Sequence, residues 1–144
     1  MEEILLDTRI VEVEKFTVKG YELKGPLSEI PGQWDKLNAE IKKQGITAEE
    51  SFGVCVSVTG KKIHYIAGIK SDLAEDLPNT EEIDIAAGKF IVAKVDGGIP
   101  AIPMAFEAIH QMDNIQLRNG YGMERYIHPE GSKGYTIEVW MPIM

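Results

Sequence analysis

The chain has 144 residues, 15 Lys+Arg against 23 Asp+Glu, a formal net charge of −8, and 44% hydrophobic residues. A chain of this size buries enough surface to hold a core without metal or disulfide staples, and the single cysteine, Cys55, excludes an internal disulfide. The acidic balance argues against direct binding of nucleic acid, and no apolar run is long enough to span a membrane. The start Met1-Glu-Glu-Ile-Leu-Leu-Asp lacks the basic and apolar regions of a signal peptide, so the chain reads as a single cytoplasmic domain over 1–144.

Apolar alternation predicts a long strand from about Ile10 to Lys24, bent or bulged near Gly20, then a turn at Gly25-Pro26. A helix follows from about Pro31 to Gln44, with Ile30, Trp34, Leu37 and Ile41 on one face, Pro31 in the first turn and Gly45 as the stop. Strands at Phe52–Thr59 and Ile63–Lys70 are joined by a tight turn at Gly60-Lys61. The acidic stretch from Ser71 to Glu82 has no apolar period and reads as a solvated connecting loop.

The second half repeats the plan. A strand from about Ile83 to Val95 ends at Gly97-Gly98, a helix runs from about Pro100 to Met112, and strands at about Tyr121–His128 and Tyr135–Ile143 close the chain. Phe52-Gly53 and Tyr121-Gly122 open corresponding strands of the two halves, about 10–70 and 83–143. Two β-α-β-β units imply an α+β fold with pseudo-twofold symmetry, an antiparallel sheet and both helices on one face. A groove between the halves is the expected ligand position.

The last two strands carry the most informative chemistry. Alternation puts Glu124 and Tyr126 on one face of the first, and Glu138 and Trp140 on one face of the second. As hairpin neighbours they could gather two acids and two aromatics into one patch suited to an organic cation. The plainer alternative is a wet sheet face on which the glutamates pair with Arg125 or Lys133, with Trp140 a partly covered surface aromatic. Trp34 and Phe106 hold comparable places on the two helices, as core or as pocket wall.

Other motifs lead nowhere. His64, His110 and His128 lack zinc-ligand spacing, and Cys55 lies in a β-branched run as a buried thiol, so no metal or cofactor is expected. Gly97-Gly98 is no phosphate loop, because Pro100 and Pro103 remove backbone donors and no lysine is near.

Five ordered segments carry a resemblance: Phe16–Pro26, His64–Lys70, Ile85–Val92, Met123–Tyr126 and Ile137–Ile143. Together they resemble the GyrI-like family, the effector-binding domain of bacterial transcription activators, which is also found fused to AraC-type and MerR-type regulators. The resemblance implies a duplicated β-α-β-β fold that binds lipophilic, often cationic, small molecules. It implies that Glu124 anchors the positive charge, with Glu138 as a second candidate, and that Tyr126, Trp140, Trp34, Phe106 and Tyr65 form or border the aromatic wall.

The chain departs from the larger regulators in starting its first strand within about ten residues of Met1, and from the family pattern in carrying His110-Gln-Met-Asp-Asn114 after the second helix. The expectation is a stand-alone protein that binds a hydrophobic, cationic small molecule, linked to transcription regulation or to drug response. The resemblance leaves two alternatives: a hydrolase in which Glu124 activates water and Tyr126 moves a proton, and a protein-docking inhibitor, as of DNA gyrase.

Overall fold

The computed structural model describes residues 7–128 and 135–144. The chain forms β1 (Thr8–Val13), β2 (Phe16–Pro26), α1 (Ile30–Gln44), β3 (Glu50–Thr59), β4 (Lys62–Lys70), β5 (Glu81–Ile85), β6 (Gly88–Val95), α2 (Ile102–His110), β7 (Gly122–Ile127) and β8 (Thr136–Ile143). All eight strands join one antiparallel sheet in the order β1-β6-β8-β7-β3-β4-β2-β5. That order reads the same from either end once the halves are exchanged, which is the pseudo-twofold axis expected from the repeat. The axis passes between β3 and β7.

Each long strand expected at the start of a half is divided in two. The break falls at Glu14-Lys15 in the first half and at Ala86-Ala87 in the second. The register is nonetheless continuous across both breaks: Thr8 lies opposite Ala93, Val13 opposite Gly88, Phe16 opposite Ile85 and Gly20 opposite Glu81, with one constant offset. The ladder at one edge of the sheet and the ladder at the other are therefore two parts of a single pairing.

This forces the sheet to curl. Laid flat, β1 and β2 would stand six strand spacings apart, about 29 Å. The two residues that join them span at most about 11 Å.

The curl separates two interiors. On the convex face, α2 buries Ile102, Ala105 and Ile109 against Ile91, Ala93, Ile137 and Val139, and α1 buries Leu37 against Tyr21, Leu23, Tyr65 and Ala67. On the concave face, Val18, Phe52, Val54, Phe90, Val92, Met123 and Trp140 pack together, partly covered by Val11, Val13 and Phe16. Trp34 touches both helix-side clusters and so stands at the junction of the halves. Among the described residues no helix is long and apolar enough to cross a membrane.

Candidate functional site

A cavity of about 430 Å³ opens between the two helices, over the central β3–β7 seam. Its walls come from Ile30, Pro31 and Trp34 at the start of α1, from Ile99, Ile102 and Pro103 around the start of α2, and from Tyr126 and Tyr135. Proline in the first turn of each helix places apolar rings at the opening, where a backbone N–H would have no partner in the helix. Trp34 meets Tyr126 edge to face at 4.8 Å between ring centres, and Tyr135 lies 5.9 Å from Tyr126. Asp35, Asn38, Ser51 and His128 supply the polar part of the lining.

Half-buried Glu124 lies at the floor. Its Oε1 accepts a hydrogen bond from the Tyr126 hydroxyl at 2.6 Å and another from the Tyr65 hydroxyl at 3.1 Å. Tyr65 in turn accepts from Trp34 Nε1 at 3.0 Å. Trp34, Tyr65, Glu124 and Tyr126 thus form a hydrogen-bonded chain whose ends meet in the Trp34–Tyr126 ring contact, so the carboxylate is oriented before any ligand arrives.

Space for this hydrogen-bonded chain depends on Gly53, which pairs with Glu124 across the seam. A Cβ at Gly53 would lie 1.9 Å from the Tyr65 hydroxyl oxygen and 3.1 Å from Glu124 Oε1, so no other residue fits there unchanged.

Burial pushes Glu124 above the usual carboxylate range, and the hydrogen bonds from Tyr126 and Tyr65 reverse only part of that. Burial, followed by the charge of Glu124, raises both Tyr65 and Tyr126, so both remain protonated donors. Among the described residues no Lys or Arg forms an ion pair with Glu124. A carboxylate in an aromatic-walled cavity without a cationic partner can compensate the charge of an incoming cation, or can act as a base.

The other expected residues fall in three places. Tyr65 is fully buried beneath the floor and holds Glu124 without lining the cavity. Phe106 packs with the core on the helix side of the second half, near Gly122, and stands outside the cavity.

Glu138 and Trp140 do not share a patch with Glu124. Across the hairpin, Glu124 faces Val139 and Tyr126 faces Ile137, whereas Arg125 faces Glu138 and Met123 faces Trp140. Opposed residues of an antiparallel pair project to the same side, so the two acid–aromatic pairs occupy opposite faces of the sheet. Glu138 accepts from Arg125 at 3.0 Å and from Trp140 Nε1 at 3.2 Å, and pairs with Arg9 at 2.7 Å. Burial alone would raise it, but the hydrogen bonds from Arg9, Trp140 and Arg125 outweigh burial and hold it below the usual range. For Glu138 the plainer pairing with Arg125 is what the fold builds. Lys133 lies outside the described residues.

Sequence reasoning missed Tyr135, His128, Ser51, Asp35 and Asn38. Some signal was present. His128 continues the alternation of Glu124 and Tyr126, Tyr135 shares a face with Ile137 and Val139, and Asp35 and Asn38 flank Trp34 at positions +1 and +4.

The sequence profile of the GyrI-like small molecule binding domain matches residues 6–144. No curated protein matches the chain. Among solved structures, SAV2435 bound to tetraphenylphosphonium is similar at 20% identity and a TM-score of 0.70, over 96% of this chain and 94% of that one. EcmrR, in a complex with DNA, is similar at 17% identity and a TM-score of 0.72, over 96% of this chain and 57% of that one. A hydrolase from Listeria innocua is similar at 9% identity and a TM-score of 0.57, over 95% of this chain and 91% of that one. At these identities the likeness is one of fold.

Proposed function

The chain belongs to the GyrI-like small molecule binding domain family, and from that premise we propose that it takes up a hydrophobic organic cation in the cavity between its helices. The observation that carries this reading is Glu124: an acid held in fixed orientation by two tyrosine hydroxyls, at the floor of a cavity walled by Trp34, Tyr126 and Tyr135, without a cationic partner among the described residues. The aromatic faces attract positive charge and exclude water, which strengthens the attraction of the carboxylate. Tetraphenylphosphonium, bound by the structurally similar SAV2435, is the natural probe. Trp34, Tyr126 and Tyr135 are the ligand-contacting aromatics, and Tyr65 is a positioning residue for Glu124. A binding domain of this kind serves transcription regulation or drug response by acting on a partner that reads the ligand-bound state.

The two tryptophans allow a site-resolved test, because Trp34 lines this cavity and Trp140 lies on the opposite face. In a Trp140→Phe protein, saturable change of Trp34 emission on titration with tetraphenylphosphonium is expected. No change up to millimolar probe would overturn the assignment.

One observation favours a second reading. A carboxylate with a raised pKa, held in place by two tyrosine hydroxyls, can also act as a general base, which suits activation of water for addition to a small lipophilic substrate. Mass spectrometry of candidate ligands after incubation separates the readings: a gain of one water supports hydrolysis, and recovery unchanged supports binding.

A further inference from the structure

The opposite face of the sheet carries a second cleft, of about 550 Å³, at the mouth of the concave interior. Its apolar surface is formed by Phe16, Phe52 and Trp140 with Val11 and Val13 from β1. Across it runs a chain of alternating charges. Lys70 pairs with Glu50 at 3.3 Å, Glu50 with Arg125 at 2.6 Å, Arg125 with Glu138 at 3.0 Å, and Glu138 with Arg9 at 2.7 Å.

Three cations share two carboxylates, so the chain of charges is net positive on a protein whose net charge is −8. Arg125, bound on both sides, is fixed and lies 5.8 Å over the Trp140 ring. The terminal cations differ from it. Arg9 and Lys70 each hold a single acid, and their side chains are 52% and 44% exposed, so each can turn toward a ligand without leaving a buried charge unpaired. Lys15, paired with Asp84 at 3.5 Å, and Glu14 also border the cleft, so this pair of neighbours adds no net charge and the cations available to a ligand are Arg9 and Lys70.

An aromatic floor ringed by reachable cations has the opposite preference to the Glu124 cavity. We propose that this cleft is a second small-molecule site and that it takes an amphipathic anion, a flat aromatic body bearing a carboxylate or sulfonate. The ring system lies against Phe16 and Trp140, and the anionic group is met by Arg9 and Lys70. The two sites are independent in residues: Glu124 and Arg125 are neighbours on β7 that point to opposite faces.

The experiment uses anilinonaphthalene sulfonate with a Trp34→Phe protein, in which Trp140 is the remaining tryptophan. Saturable quenching of Trp140 is expected, weakened about 10-fold by Arg9→Glu and by Lys70→Glu as the local charge changes sign, and unchanged by Glu124→Gln. Lys70→Gln, a milder change, should weaken binding in the same direction. The proposal is overturned if Trp140 quenching does not saturate, if all three cation variants bind the dye as tightly as the parent, or if tetraphenylphosphonium displaces the dye competitively.

Discussion

Replacement of Gly53 by alanine tests the hydrogen-bonded chain that runs from Trp34 through Tyr65 to Glu124 beneath the cavity. The new Cβ would stand 1.9 Å from the Tyr65 hydroxyl oxygen, which must retreat by about 1.5 Å to reach ordinary contact at 3.4 Å. Neither the 3.0 Å bond from Trp34 nor the 3.1 Å bond to Glu124 survives such a shift. Loss of two hydrogen bonds costs about 2 kcal/mol, and overpacking adds about 1–3 kcal/mol. With an unfolding entropy of about 2.1 cal/mol/K per residue, a chain of 144 residues loses roughly 3 °C of Tm per kcal/mol, so the drop is about 10–16 °C. Thermal melting followed by circular dichroism reads it directly. Gly32→Ala in α1 is the control, because nothing lies within 4 Å of its added Cβ, and it should gain about 0.5–1 kcal/mol. A Gly53→Ala protein that melts within about 2 °C of the parent and binds tetraphenylphosphonium equally well would show that Gly53 is not what seats the Tyr65 hydroxyl.

Three further outcomes follow from the charges. Because burial raises Glu124 in the folded state, the stability it contributes is complete below the unfolded value of 4.5 and is lost as pH rises through the folded value. Glu124→Gln should therefore melt no lower than the parent at pH 7.5, with the difference closing toward pH 4.5. Glu138 has the opposite sign: its folded pKa is depressed, so its contribution is present above 4.5 and fades as pH falls through the folded value. Arg125→Met strands Glu50 and Glu138 with one cation each, should cost about 2–3 kcal/mol in urea denaturation, and should move the onset of acid unfolding to higher pH. Cation binding should release protons where Glu124 is partly protonated, so titration calorimetry in two buffers of different ionisation enthalpy should show release that vanishes at alkaline pH, and affinity that rises with pH.

Much of this architecture is legible in the sequence because periodicity is local. The repeat of strands and helices, the faces of Ile30, Trp34, Leu37 and Ile41 on α1, and the alternation of Glu124 with Tyr126 all follow from spacing alone. Pairing parity is not local. Whether Glu124 faces Glu138 or Val139 depends on the register of β7 against β8, and a shift of one residue moves every side chain to the other face. That single offset separates the expected joint patch into a cavity on one side and an ion-paired cleft on the other.

The divided long strands have a similar cause. The alternation of Val11, Val13, Phe16 and Val18 predicts one strand, and one register indeed runs through it. Its interruption at Glu14-Lys15 coincides with a change of phase, since Val13 and Phe16 are three residues apart yet face the same interior; the phase change is local, but the closure of the curled sheet that uses it is a long-range constraint. Gly53 illustrates a third kind of information, since the aromatic–glycine pair is visible as a repeat but its purpose appears only with the Tyr65 hydroxyl beside it.

Calorimetric titration of tetraphenylphosphonium into parent and Glu124→Gln at pH 7.5 tests the proposed charge-anchor role of Glu124 most directly. A unit charge about 6 Å from the carboxylate, at an effective dielectric of about 20, interacts by about 3 kcal/mol. Affinity lower by about 100-fold is expected in the variant, with stability retained. Equal affinity in the two proteins would contradict that role.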